Sequence, residues 1–204
     1  VRCRRGVGRD GDLAPWPDRV AAPAAADRHQ FAAHDERGRT DGAVLADAGA
    51  DVIKVEKPGG DPARFAAPFP PGGSPANGGG ALFRHLNTNK RSVVLDLKTP
   101  AGRESLKGLV ANSDIVVENY RPATARALGL DYATLAAAKP DLVMTSISAF
   151  GQDGPYAARP GYDFIVQGMG GLMSVTGEPD GVPGGGPQKT GVAVADLFTG
   201  MYAT

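Results

Sequence analysis

From Gly42 onward the chain alternates short apolar runs with amphipathic stretches, and the alternation predicts an α/β order. Ala43-Val44-Leu45-Ala46-Asp47-Ala48 suits the end of a helix, with Gly49 as its stop. Asp51-Val52-Ile53-Lys54-Val55-Glu56 follows as a strand, closed by Pro58-Gly59-Gly60. Residues 66–80 are crowded with Pro and Gly and read as a loop. Ser92 to Leu97 is the next strand. Thr99 caps a helix that carries Pro100 at its first position and Leu106, Leu109 and Val110 on one face. Asp114 to Glu118 is a buried-type strand, and a helix from about Pro122 ends at Gly129. A further helix covers Tyr132 to Lys139, and Leu142 to Ser148 is the last strand. Strands alternating with helices predict an α/β fold with a Rossmann-like, mainly parallel sheet flanked by helices. Ligands on such sheets gather at the carboxyl ends of the strands, where Glu118-Asn119-Tyr120 and Ser148-Ala149-Phe150-Gly151 fall.

Residues 1–41 break this pattern. They are rich in Arg, Ala, Pro and Asp, contain no Lys, and show neither a helical nor a strand period. We read 1–41 as low-complexity chain, disordered or out of frame at its start, and 42–204 as one partial domain.

Composition narrows the function by exclusion. Lys plus Arg equals Asp plus Glu at 22 each, so no bulk charge favours nucleic acid or an anionic membrane surface. The single Cys3 forms no internal disulfide, and no apolar run is long enough to cross a membrane. A cytoplasmic setting is the expectation. His29, His34 and His85 lack ligand spacing with Cys or carboxylates, so no metal is expected. The glycines of residues 72–80 form neither a G-x-G-x-x-G nor a P-loop pattern and read as a surface loop.

Five segments, in order, carry a more specific signal. They are Gly49–Glu56, Asn87–Lys98 (beginning Asn87-Thr88-Asn89-Lys90-Arg91-Ser92), and Asp114–Pro122 (Glu118-Asn119-Tyr120-Arg121-Pro122 at its end). Phe150–Pro155 with Gly161-Tyr162-Asp163 is the fourth, and Lys189–Gly200 the fifth. Together they resemble the amino-terminal part of the family III CoA-transferases, the group that includes formyl-CoA transferase, carnitine CoA-transferase and the acyl-CoA racemases. The resemblance covers residues 42–204.

The resemblance implies transfer of coenzyme A from an acyl-CoA, such as succinyl-CoA, to a small carboxylic acid, without a permanently bound cofactor. It places the nucleophile at Asp196, acting through an aspartyl-acyl anhydride and an aspartyl-CoA thioester. The plain alternative is that Asp196, just ahead of Leu197-Phe198, is a helix N-cap. CoA contacts are implied at Lys57, Lys90, Arg91 and Asn119. Lys57, Lys90 and Arg91 read equally as surface charges. The family's arginine near the Leu-Gly helix end is displaced by one position here, to Arg126. Tyr162 stands where the racemases carry His. A phenol with a reference pKa of about 10 is a poor α-proton base, which favours a transferase. Tyr162 then lines the acyl pocket or packs as core. The resemblance also implies a longer chain with a second domain, an interlocked homodimer, and little turnover from residues 1–204 alone. The alternatives are a 2-methylacyl-CoA racemase and a non-catalytic CoA-binding remnant.

Overall fold

The computed structural model describes residues 3–5, 30–34 and 39–204. Its centre is a six-stranded sheet in the order β1-β4-β3-β2-β5-β6. The strands are β1 (Cys3–Arg5), β2 (Gln30–His34), β3 (Asp51–Glu56), β4 (Arg91–Val94), β5 (Ile115–Glu118) and β6 (Val143–Ser146). Strands β2 to β6 are mutually parallel, and β1 pairs antiparallel with β4 on the outer edge. Among the described residues seven α-helices accompany them: α1 (Arg39–Asp47), α2 (Ala81–Leu86), α3 (Pro100–Val110), α4 (Pro122–Leu128), α5 (Tyr132–Ala136), α6 (Asp163–Met169) and α7 (Val194–Ala203).

The mixed α/β architecture and parallel sheet agree with the sequence reading. The parallel part runs β4-β3-β2-β5-β6, so the chain winds outward from β2 in one direction and then from β5 in the other. This is the doubly wound arrangement, and its direction reverses between β2 and β5. The crevice outside their carboxyl ends is where such sheets bind ligands.

Two features before residue 42 differ from the sequence reading. Helix α1 begins at Arg39, and β1 and β2 lie in the sheet although the sequence showed no strand period there. Gln30–His34 occupies the central slot, paired with β3 on one side and β5 on the other. Its place is set by two neighbouring strand edges whose N–H and C=O groups need partners, not by apolar alternation of its own.

Local signals explain the helices around the site. Thr99 caps α3 by accepting from Gly102 N–H at 3.0 Å, with Pro100 at the first position, as the sequence predicted. Gly129 closes α4 in a left-handed conformation that few other residues adopt without cost. Leu106 and Val110 of α3 pack with Val93, Val116, Leu135 and Leu142 in the main core. A smaller cluster of Ala46, Val52 and Val117 lies beneath α1.

Candidate functional site

The carboxyl ends of β5 and β6 open onto a cleft of about 210 Å³. Asn119, Tyr120 and Arg121 come to it from the end of β5, Ser148 and Ala149 from the end of β6, and Arg159 and Tyr162 from the loop before α6. Strand geometry accounts for this: each parallel strand ends at the same edge, so the residues that follow converge there. Of the residues singled out in the sequence, Asn119 and Tyr162 are brought together in this cleft. Tyr162 is 47% exposed and stacks on Phe164, with ring centroids 6.0 Å apart, so it is a cleft residue and not core. Arg159 lies over the Tyr156 ring, 4.2 Å from its centroid, on the same loop.

Directly after Tyr162, Asp163 reaches away from α6 to the start of α7. Helix α7 has Ala193 at its N-cap position and no side-chain cap of its own. Asp163 supplies one from outside: its Oδ1 accepts from Ala195 N–H at 2.7 Å and from Asp196 N–H at 3.2 Å. The plain reading of Asp196 as an N-cap is therefore corrected, because Ala193 holds that position and Asp163 does the capping. Asp196 instead stands in the exposed first turn of α7. Residues 162 and 163 thus join the cleft to the backbone of Asp196.

A second group holds this junction. Gln167, one turn along α6 from Asp163 and 2% exposed, donates through Nε2 to Asp163 Oδ2. Its Oε1 accepts from Thr190 N–H at 2.9 Å and from Thr190 Oγ1 at 3.2 Å. Sequence reasoning left Gln167 out. The four-residue spacing of Asp163 and Gln167 was visible, but its partners lie 23 to 33 positions further along the chain.

The remaining predicted contacts scatter along the sheet. Lys57 is exposed immediately after β3, on the same edge as the cleft. Lys90 is only 5% exposed, donates to Asn87 Oδ1 at 3.4 Å, and has Gly42 packed against its ammonium end. A surface charge is thus the wrong description of it. Arg91, also not a free surface charge, pairs with Asp51 at the opposite, amino-terminal end of β3. Arg126 is exposed in the last turn of α4 and is not among the residues lining the cleft.

The sequence also gave no hint of a buried ionic cluster beside Lys57. Glu56, at the end of β3, receives Arg64 in a bidentate pair, Nε to Oε2 at 2.7 Å and an NH2 group to Oε1 at 2.6 Å. Ser92 Oγ and Asp61 N–H complete its shell at 2.5 and 2.9 Å. Lys54 pairs with Asp61 at 2.8 Å, and the Arg64 guanidinium lies 4.0 Å from the Phe83 ring centroid. Burial by itself raises the Glu56 pKa. The hydrogen bonds from Arg64 and Ser92, with the Arg64 charge, outweigh it and lower the value from 4.5 to about 2.

With this geometry in hand, comparison with known proteins gives a consistent result. The family model for CoA-transferase family III matches residues 33–204. A succinate–glutarate CoA-transferase of Agrobacterium fabrum is 51% identical over 164 residues, 79% of this chain and 40% of that protein. A succinyl-CoA:glutarate CoA-transferase of Homo sapiens is 40% identical over 161 residues, 78% of this chain and 34% of that protein. Among solved structures, a CaiB/BaiF family protein from Brucella suis superposes with a TM-score of 0.76 at 44% identity, covering 87% of this chain and 46% of that one. The chain thus spans 34% to 40% of the length of these curated relatives. Among the described residues, no helix is long and apolar enough to cross a membrane. The chain belongs to the CoA-transferase family III.

Proposed function

We propose that the protein carrying this chain transfers coenzyme A from succinyl-CoA or a similar acyl-CoA to a small carboxylic acid, with Asp196 as the nucleophile. The observation that carries the reading is the junction at α6 and α7. A cleft at the strand carboxyl ends continues through Tyr162 and Asp163 to the backbone of an exposed aspartate in a helix first turn. Relatives named for transfer of CoA between succinate and glutarate or mesaconate support it.

In this reading an Asp196 carboxylate oxygen attacks the thioester carbonyl, and the C–S bond breaks to release CoA thiolate. The mixed anhydride that remains is attacked by the thiolate at the aspartyl carbonyl, which releases the donor acid and leaves an aspartyl-CoA thioester. The acceptor carboxylate then attacks that carbonyl, expelling the thiolate again. Its final attack on the acceptor acyl carbon forms the new thioester and regenerates the carboxylate. No proton is gained or lost overall, so no general base is required. Asn119 at the end of β5 and Lys57 at the end of β3 flank the central crevice and would contact the CoA.

The racemase alternative is disfavoured by Tyr162, whose phenol takes the place of a basic imidazole. An interlocked homodimer fits the exposure of Leu197, Phe198, Met201 and Tyr202 on α7, the last at 91%.

The reaction class is tested in a chimaera in which residues 42–204 replace the matching stretch of the Agrobacterium enzyme. We expect succinyl-CoA and glutarate to yield glutaryl-CoA, and a 2-methylacyl-CoA in deuterated water to gain no α-deuterium. Deuterium uptake without CoA transfer would overturn the proposal in favour of a racemase.

A further inference from the structure

Gln167 is nearly sealed from solvent, yet every polar atom of its side chain is committed to the junction between α6, the 189–193 segment and α7. Its Nε2 donates to Asp163 Oδ2 and, more weakly, to Val192 O at 3.4 Å. Its Oε1 takes both the N–H and the hydroxyl of Thr190. A buried amide with both ends satisfied holds a fixed orientation, because rotating it would bring donor against donor and acceptor against acceptor.

That orientation has a consequence for Asp163. A carboxylate offers two equivalent oxygens and turns freely about its last bond unless one of them is held. With Oδ2 held by Gln167, Oδ1 is directed at the Ala195 and Asp196 N–H groups. We propose that Gln167 is a positioning residue for the transfer reaction: it locks the Asp163 carboxylate so that Asp163 caps α7 and fixes the Asp196 backbone beside the cleft. The amide serves two separable purposes, an acceptor that latches Thr190 and a donor that orients Asp163. The inference rests on Asp196 being the nucleophile, but its structural part stands apart from that.

The two purposes are separated by Gln167→Glu. The substituted carboxylate still accepts from Thr190 but presents a negative oxygen, not a donor, to Asp163 Oδ2. The charged groups around it are Asp163 on α6, Asp196 on α7 and Lys189, whose Nζ lies 3.5 Å from Thr190 O. The test is amide hydrogen exchange in the full-length chimaera at pH 7, residue by residue. In Gln167→Glu the Ala195 and Asp196 amides should exchange about tenfold faster while Thr190 keeps its protection. In Gln167→Met all three should be lost together. Unchanged Ala195 and Asp196 amides in Gln167→Glu would overturn the proposal, leaving Gln167 as a latch for Thr190 only.

In the chimaera, Gln167→Glu should lower kcat about tenfold with the KM for acyl-CoA within about twofold, since the residue touches no substrate. A raised KM at unchanged kcat would contradict a positioning role. The exchange experiment needs no turnover, so its success alongside a missing adduct on Asp196 would reject the assigned nucleophile and leave the lock intact.

Discussion

Replacing Asp196 with Ala in the chimaera is expected to reduce CoA transfer by roughly 10³-fold or more, about 4 kcal/mol of transition-state stabilisation. The size follows from the covalent route. Without the carboxylate there is no anhydride, no aspartyl-CoA thioester, and no shared intermediate through which the donor and acceptor acids exchange. Asp196→Asn is the sharper variant. It keeps the size and the place in the first turn of α7, and its backbone N–H still reaches Asp163 Oδ1. Binding of the acyl-CoA should therefore be little changed while transfer is lost. A variant that kept more than about a tenth of the wild-type rate would show that another group carries the acyl chain.

The second large effect concerns stability. Glu56→Gln should destabilise the chain by about 3 kcal/mol near neutral pH, measured by urea unfolding. The glutamate receives Arg64, Ser92 and the Asp61 N–H in a shell that excludes water. Gln keeps the shape but loses the charge that Arg64 pairs with, and it brings an N–H₂ group to oxygens' places where donors already converge. The pH dependence gives a second signature. The folded pKa is depressed from 4.5 to about 2, so the contribution is complete above pH 4.5 and is lost as pH falls from there towards about 2. Over that window the wild-type chain should lose on the order of 3 kcal/mol that the Gln variant never had. Parallel acid limbs for the two proteins would show that Glu56 titrates normally in the folded state.

Much of the frame was legible from local rules. Thr99-Pro100 announced the start of α3, and Gly129 the end of α4, because capping chemistry is settled within one turn. The strands at 51–56, 115–118 and 143–146 showed as short apolar runs. The central strand Gln30–His34 did not show, since its position comes from pairing with β3 and β5. Nor did the Glu56 cluster. Lys54 and Glu56 sit in a strand buried on both faces, where polarity says nothing about which face is covered, and their partners arrive from residues 61, 64 and 92. At the candidate site, Asp196 and Tyr162 were found through the family resemblance. The Asp163 cap and the Gln167 lock were not, because each joins segments more than 20 residues apart. Long-range polar contacts leave no period in a sequence.

The account turns on a carboxylate that becomes acylated. The most direct measurement is to mix the chimaera with succinyl-CoA, quench with hydroxylamine and locate the hydroxamate by peptide mass spectrometry. A hydroxamate on residue 196, absent from Asp196→Ala, is the predicted result. Active transfer with no modification at residue 196, or with the modification on a different carboxylate, would contradict it.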